Sequence, residues 1–360
     1  MAIEGVSQAI ESDDCVLILK DAERLYEQGK LEVVPIILAE CIENGFSREE
    51  KIQAYRLLTL TYLFDDKTEL AEQSIENMLK IDPEHEINTA IDPAEFIYLY
   101  NEYRTNPIAT FGISAGVNIS MARLLETYSL DNSTEDATYY SQAGFHAGIH
   151  GSYMLMNNLH INIEGLYKTG QVFTGYTYKL NNFDGATDTL SNFGSISFVE
   201  KHTWVRIPAN FTYDIKITPK ISTYLRVGGS VGVLLSSKST FTRAYHSSSS
   251  LAPATGPEEN VKENRNLWNY WITGGLGFKY KITRGNVFID VRYNYGLRNM
   301  TNETKRYNNP TLIYKYYYLD DNFSMDDIAF SIGYSRFLYK PKKKKKEKSE
   351  KDLRGYKRNL

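Results

Sequence analysis

In the last two thirds of the chain, charged side chains recur at every second position among apolar ones. Between residues 287 and 298, Val287, Ile289, Val291, Tyr293, Tyr295 and Leu297 occupy one face. Phe288, Asp290, Arg292, Asn294, Gly296 and Arg298 occupy the other. Phasing the neighbouring segments with apolar residues outward turns Glu164, Lys168, Arg206, Asp214, Arg226, Asp290, Arg292 and Arg336 inward. Two chemistries suit such a set: a carboxylate pair for acid/base work, or a neutralised cluster with Glu164 and Asp290 between Arg206, Arg226 and Arg292. An unpaired charge in a water-poor interior costs on the order of several kcal/mol. A narrow, sealed interior admits no substrate, so the expectation is a structural charge network with no catalytic residue.

His146, His150 and His160 share that inward face. Two histidines four apart on a strand are about 13 Å apart, too far for one ion without a third element. Hydrogen bonding, with no metal, is the expectation. His202 and His246 read as loop residues without a serine and acid to complete a nucleophile. Gly228-Gly229-Ser230-Val231-Gly232 sits inside a strand with no helix after it, so it favours close backbone packing over phosphate binding. Nothing implies a cofactor.

Two further features carry alternatives. Lys342, Lys343, Lys344, Lys345 and Lys346 follow the last strand. The run reads either as a solvated tail or as a contact for an acidic partner or anionic lipid, about 1 kcal/mol per lysine near a surface. Cys15 and Cys41 lie at similar depth in a helical hairpin turning at Gly29-Lys30. They are either two buried thiols or a disulfide, which is worth roughly 3 kcal/mol in an oxidising compartment.

What must position these residues is a set of strands. Ile328, Phe330, Ile332 and Tyr334 alternate with Ala329, Ser331, Gly333 and Ser335. A long apolar face with an aromatic end, opposite a face mixing charge with glycine and serine, is the pattern of a strand with lipid outside and a polar lumen inside. Eight strands are expected, near 108–119, 142–155, 159–170, 203–215, 220–236, 267–282, 286–297 and 327–339. Tight turns at 157–158, 217–219 and 283–285 alternate with long loops near 120–141, 171–202, 237–266 and 298–326. An even strand number returns both ends of the barrel to the periplasmic side. A soluble sandwich would not expose faces this apolar. No apolar run approaches the roughly 18 residues of a membrane helix, and a net charge of −3 implies no nucleic-acid partner. Residues 1–14 hold no basic residue and show no secretory leader, so a mature chain or an earlier true start is expected.

Residues 14–105 read as helical. Asp14 caps a first helix, Gly29 ends it, and a second runs through Val33, Ile37 and Cys41. Ser47 and Glu50 form a capping box for a third, and Asp65 or Asp66 caps a fourth that stops at Asp82-Pro83. The hairpins repeat at about 33 residues, and Ala54 to Pro83 resembles a tetratricopeptide repeat; a helix from Asp92 to Tyr103 would cap them.

The segments His202-Thr203-Trp204-Val205-Arg206-Ile207-Pro208-Ala209 and Tyr224-Leu225-Arg226-Val227-Gly228-Gly229-Ser230-Val231-Gly232 resemble the PorT-like outer-membrane β-barrel family, as does Ile163 to Gly170. The resemblance covers about 107–339 and implies an eight-stranded barrel without enzymatic activity, some relatives serving type IX protein secretion. The expected chain is thus an α+β multidomain protein: tetratricopeptide-like helices over 14–105 in the periplasm, an eight-stranded antiparallel transmembrane barrel over 107–339, and a basic disordered tail over 340–360. The expected partners are outer-membrane lipid and an envelope protein held by residues 14–105, as in an accessory or adaptor subunit. The alternatives are a surface barrel binding a ligand through its long loops, and a rim enzyme acting on lipid.

Overall fold

The computed structural model describes residues 12–128, 138–156, 158–177, 195–244, 254–316 and 318–344. The chain forms two compact units, Ala109–Leu338 and a second made of Met1–Ile108 with Tyr339–Leu360.

The helical unit contains α1 (Ser12–Glu27), α2 (Val33–Asn44), α3 (Arg48–Phe64), α4 (Thr68–Ile81) and α5 (Ala94–Asn101). Asp14 lies inside α1 rather than capping it. Gly29 takes φ +75°, the left-handed turn that ends α1. Ser47 and Glu50 exchange bonds at the start of α3, Ser47 N to Glu50 Oε2 at 2.7 Å and Glu50 N to Ser47 Oγ at 3.4 Å. The two aspartates behave differently from expectation: Asp65 closes α3, Asp66 takes φ 55°, and α4 starts after Lys67 without a side-chain cap. Cys15 and Cys41 are joined as a disulfide, with Cα atoms 5.7 Å apart. Gly45 packs onto it, where a Cβ would fall 2.2 Å from Cys15 Sγ. Leu19, Ala22, Val34, Leu38, Ala54 and Leu58 are buried around this bridge. A second core joins α4 and α5 through Ile75, Met78, Leu79, Phe96, Leu99 and Tyr103.

Among the described residues the other unit holds nine antiparallel strands: β1 (Ala109–Glu126), β2 (Thr138–Met156), β3 (Leu159–Thr177), β4 (Ser195–Lys216), β5 (Ile221–Ala244), β6 (Ala254–Asn260), β7 (Trp268–Ile282), β8 (Gly285–Gly296) and β9 (Asn322–Leu338). Eight of them close a ring in the order β1-β2-β3-β4-β5-β7-β8-β9, sealed between β9 and β1. β6 stands outside the ring, added to the far end of β5 where only a loop was expected. β4 and β5, at 22 and 24 residues, run well past the roughly 9–11 residues that cross a bilayer. The connections 157–158, 217–220 and 283–284 share one end of the barrel. Ala109 pairs with Leu338 at that same end, so the chain enters and leaves the ring there.

Outward residues are apolar and exposed through the middle of every ring strand. Ile113, Ile149, Ile163, Ile207, Val227, Leu276, Ile289 and Ile332 are all more than half exposed. Tyr153, Tyr213, Tyr280 and Tyr334 rim this band towards the short turns, and Trp268, Tyr270, Tyr293 and Tyr295 rim it towards the loops. Among the described residues no helix is long and apolar enough to cross a membrane. Replacing Ile289 with Arg, near the middle of the band, is expected to cost about 2–4 kcal/mol of folding stability in bilayers. Urea unfolding in lipid vesicles measures this; an unchanged midpoint would mean that Ile289 does not face hydrocarbon.

Candidate functional site: the barrel interior

The inward residues of β4 run through the lumen as a series of layers, from Asp214 at the short-turn end to Ile196 at the loop end. Each layer has its own chemistry. An eight-stranded ring leaves only enough space for side chains, and glycines opposite the larger ones make room. His150 faces Gly112 and His146 faces Gly116, across the β1–β2 ladder. A Cβ on either glycine would lie within 3 Å of the facing imidazole.

Nearest the short turns, Lys279 Nζ donates to both oxygens of Asp214 at 2.8 Å, with His160 at 3.5 Å. In the next layer Glu164 accepts from Arg292 Nη1 at 2.6 Å and from Arg226 Nη1. Asp290 accepts from Arg292 Nη2 at 2.9 Å, Arg226 Nη2 at 3.3 Å and the Tyr224 hydroxyl at 2.9 Å. Two carboxylates and two guanidinium groups thus cancel, and Asn210 bridges Arg226 to Glu164.

Arg206 does not join this group. Its Nη1 donates to Asp327 Oδ2 at 2.8 Å, Lys168 pairs with the other oxygen, and Asn294 Nδ2 donates there at 2.7 Å. The guanidinium lies 3.5 Å from the centre of the Trp271 ring. Asp327 and Lys279 were missed from the sequence although the signal existed: Ile328 and Phe278 point outward, so Asp327 and Lys279 must point inward. Arg336 is the opposite error. It is in phase with Phe330 and Ile332 and lies exposed on the outer face.

His146 bonds Ser331 Oγ at 3.1 Å and His150 bonds Ser335 Oγ at 2.8 Å. Among the described residues no group of three or more His, Cys, Asp or Glu side chains could hold a metal ion. The cavity bounded by His146, Lys168, Arg206, Thr273, Arg292 and Asn294 is about 20 Å³, room for about one water.

Towards the loops, Trp204 and Trp271 meet edge to face at 5.4 Å and pack with Leu234, Met300, Phe323 and Met325. Beyond this apolar layer Arg265 joins Glu200 and Asp320, at 2.7 and 2.8 Å. His202 was expected in a loop; it lies on β4, fully buried, 3.6 Å from Glu200 and stacked on Trp204. Ser237 donates to Glu200 at 2.5 Å rather than to a histidine, so these residues do not make a nucleophile relay. His246 lies outside the described residues. A last core of Ile196, Phe198, Phe241, Val261, Leu312, Tyr316 and Tyr318 closes the loop end. These positions were expected in long loops; Ile196, Phe198 and Phe241 instead extend β4 and β5, and the other four come from connections without a period.

Of the lysine run, Lys342, Lys343 and Lys344 are described and Lys345 and Lys346 are not. Lys343 is paired within the helical unit, to Glu72 at 2.5 Å and Glu102 at 2.9 Å, and residues 339–344 belong to that unit rather than to a separate tail.

The family model for the outer membrane protein beta-barrel domain matches residues 106–302, more than half of the chain. The chain belongs to this family. β9 lies beyond the matched residues yet supplies the closing strand of the ring. Solved structures with a similar barrel include Neisserial surface protein A, at 14% identity and TM-score 0.27, covering 63% of this chain and 97% of that one. OprG of Pseudomonas aeruginosa is 14% identical with TM-score 0.31, covering 65% and 98%. Ail, the attachment invasion locus protein of Yersinia pestis, is 16% identical with TM-score 0.26, covering 63% and 99%. No curated protein matches. The apolar band of this outer-membrane barrel therefore touches lipid.

Replacing Asp327 with Ala leaves Lys168 and Arg206 buried without their carboxylate, at an expected cost of about 3–5 kcal/mol. Arg336→Ala on the outer face is expected to change stability by less than about 1 kcal/mol. Denaturant unfolding followed by tryptophan fluorescence distinguishes the two; equal effects would show that the inner pair is not compensated by Asp327.

Proposed function

We propose that the protein is a non-enzymatic outer-membrane anchor whose working part is the helical unit, held on the periplasmic side to grip an envelope protein. The observation that carries this reading is the filled lumen. Among the described residues, paired ions, stacked aromatics and a loop-end core fill the interior, and the cavity between His146, Arg206 and Arg292 has room for about one water, which favours a barrel that is neither a conduit nor an open catalytic cleft. Both chain ends leave the ring at the short-turn end, and short turns face the periplasm in bacterial barrels. The helical hairpins over 14–105 then act as a protein-binding element of the tetratricopeptide kind. The resemblance to PorT-like barrels falls on two strands that pair directly, Ala209 of β4 opposite Gly229 of β5, and it favours an accessory or adaptor role in a machine such as type IX secretion.

A second reading has one observation in its favour. The loop end is a built structure, with β6, a buried Glu200–Arg265–Asp320 cluster and an aromatic core, and such a platform suits binding of a surface ligand.

Purified protein in planar bilayers is expected to give no steady conductance; a stable open level would overturn the sealed lumen. Full-length protein cross-linked in intact envelopes is expected to retain an envelope protein that a chain lacking residues 14–105 loses. Retention by the shortened chain, with loss on replacing the 298–321 loop, would favour the surface reading.

A further inference from the structure

The helical unit and the end of the chain carry opposite charge. Residues 14–105 hold 20 acidic and 9 basic side chains, a net of −11, whereas residues 340–360 hold 11 basic and 3 acidic, a net of +8. The first part of this basic segment is already seated. Lys343 bridges Tyr103 in antiparallel fashion, Arg104 N donates to Lys342 O at 3.0 Å, and Lys344 N donates to Glu102 O at 2.7 Å. Lys343 Nζ lies between Glu72 of α4 and Glu102, and Lys344 Nζ reaches Asn101 O at 2.8 Å. Tyr339 OH donates to Glu84 at 2.7 Å.

The receiving edge is anchored in the core. Tyr103 is buried in the α4–α5 core, and its hydroxyl donates to Glu72 O at 3.1 Å. Burial and the neighbouring Glu72 carboxylate push that hydroxyl up to about 12, and bonds to Glu72 and Glu102 raise Lys343 above the ordinary lysine range. Glu69, Glu72 and Glu76 lie along one face of α4 at three- and four-residue spacing. The contacts are of two kinds. Backbone bonds accept any extended segment, and one acidic socket selects a lysine.

From this geometry we propose that the edge formed by Glu72 and residues 101–104 is a recognition site for extended lysine-rich polypeptide segments, and that residues 342–344 are its resident, displaceable occupant. This rests on the reading of the helical unit as the protein-binding part and names the chemistry of its ligand. A tethered occupant acts at an effective concentration on the order of 1 mM. Where the intrinsic dissociation constant is about a tenth of that effective concentration, the occupant weakens binding of an outside segment about tenfold. The segment is thereby a built-in competitor.

The test uses full-length protein in detergent and a fluorescein-labelled peptide with the sequence of residues 338–348, followed by anisotropy. Lys343→Glu expels the resident segment and is expected to bind the peptide about tenfold more tightly than the unsubstituted chain. Adding Glu72→Gln and Glu102→Gln is expected to abolish that gain, and 0.5 M salt to weaken it. Trypsin should cut after Lys344 faster in Lys343→Glu, while an unchanged helical circular-dichroism signal shows that the unit remains folded. Equal peptide affinity with and without Lys343→Glu, or affinity indifferent to Glu72→Gln and Glu102→Gln, overturns the proposal. Tight peptide binding by Lys343→Glu without a captured envelope protein would sink the adaptor reading and leave this site standing. The reverse pair of results would do the opposite.

Discussion

Inside hydrocarbon no water is available to a peptide group, so every backbone N–H and C=O of a spanning segment must find its partner within the protein. Ring closure is how this chain meets that condition. β1 pairs with β9 from Ala109↔Leu338 onwards, and β4 pairs with β5 over their full common length. Once eight strands close, the interior width is set. The contents of the lumen follow from that width, since any ionisable group placed there is removed from water and must be matched.

The matching is local rather than global. Glu164, Asp290, Arg226 and Arg292 balance within one layer. In the next, one carboxylate, Asp327, faces two cationic groups, Lys168 and Arg206. The Trp271 face 3.5 Å from the Arg206 guanidinium supplies the remaining negative potential, an interaction worth about 2 kcal/mol when desolvated. Nearer the loops the imbalance reverses, with Glu200 and Asp320 sharing Arg265; the hydroxyls of Ser237 and Tyr318 donate to the two carboxylates. The excess positive and negative layers lie on either side of the tryptophan pair, so they attract one another across the apolar layer. Removing one partner leaves a buried charge exposed to its neighbours, and the layers are for that reason interdependent.

Alternation made the barrel legible. A period of two separates lipid from lumen at each residue, and it turned Glu164, Arg206, Arg226, Asp290 and Arg292 inward. Counted from Ile328 and Phe278, the same period puts the omitted Asp327 and Lys279 inward and Arg336 outward, where the expectation had turned it inward. What periodicity could not supply is who meets whom. Arg206 shares its face with Glu164 and Asp290, but strand stagger brings it to Asp327. β6 and the Glu200–Arg265–Asp320 cluster left no trace, because they are assembled from segments with no common period. Asp65 and Asp66 were misplaced for a local reason: either residue type caps a helix start, and here the left-handed Asp66 ends the preceding helix instead.

Lys343 shows the limit most clearly. Five consecutive lysines read either as a solvated run or as a contact for an outside acidic partner or lipid, since their neighbours in sequence give them nothing to bind. Their acidic partners lie far upstream, beyond the whole barrel. Chain order then matters to folding. The stretches flanking the ring pair at Ala109↔Leu338 inside the barrel and again at Tyr103↔Lys343 in the helical unit. The helices are complete in sequence by residue 101, yet the edge presented by residues 101–104 is covered only after the last barrel strand has been made. A discontinuous unit of this kind links two events that a tandem arrangement would keep separate. In this chain order the edge beside α4 is completed by residues that lie beyond the barrel.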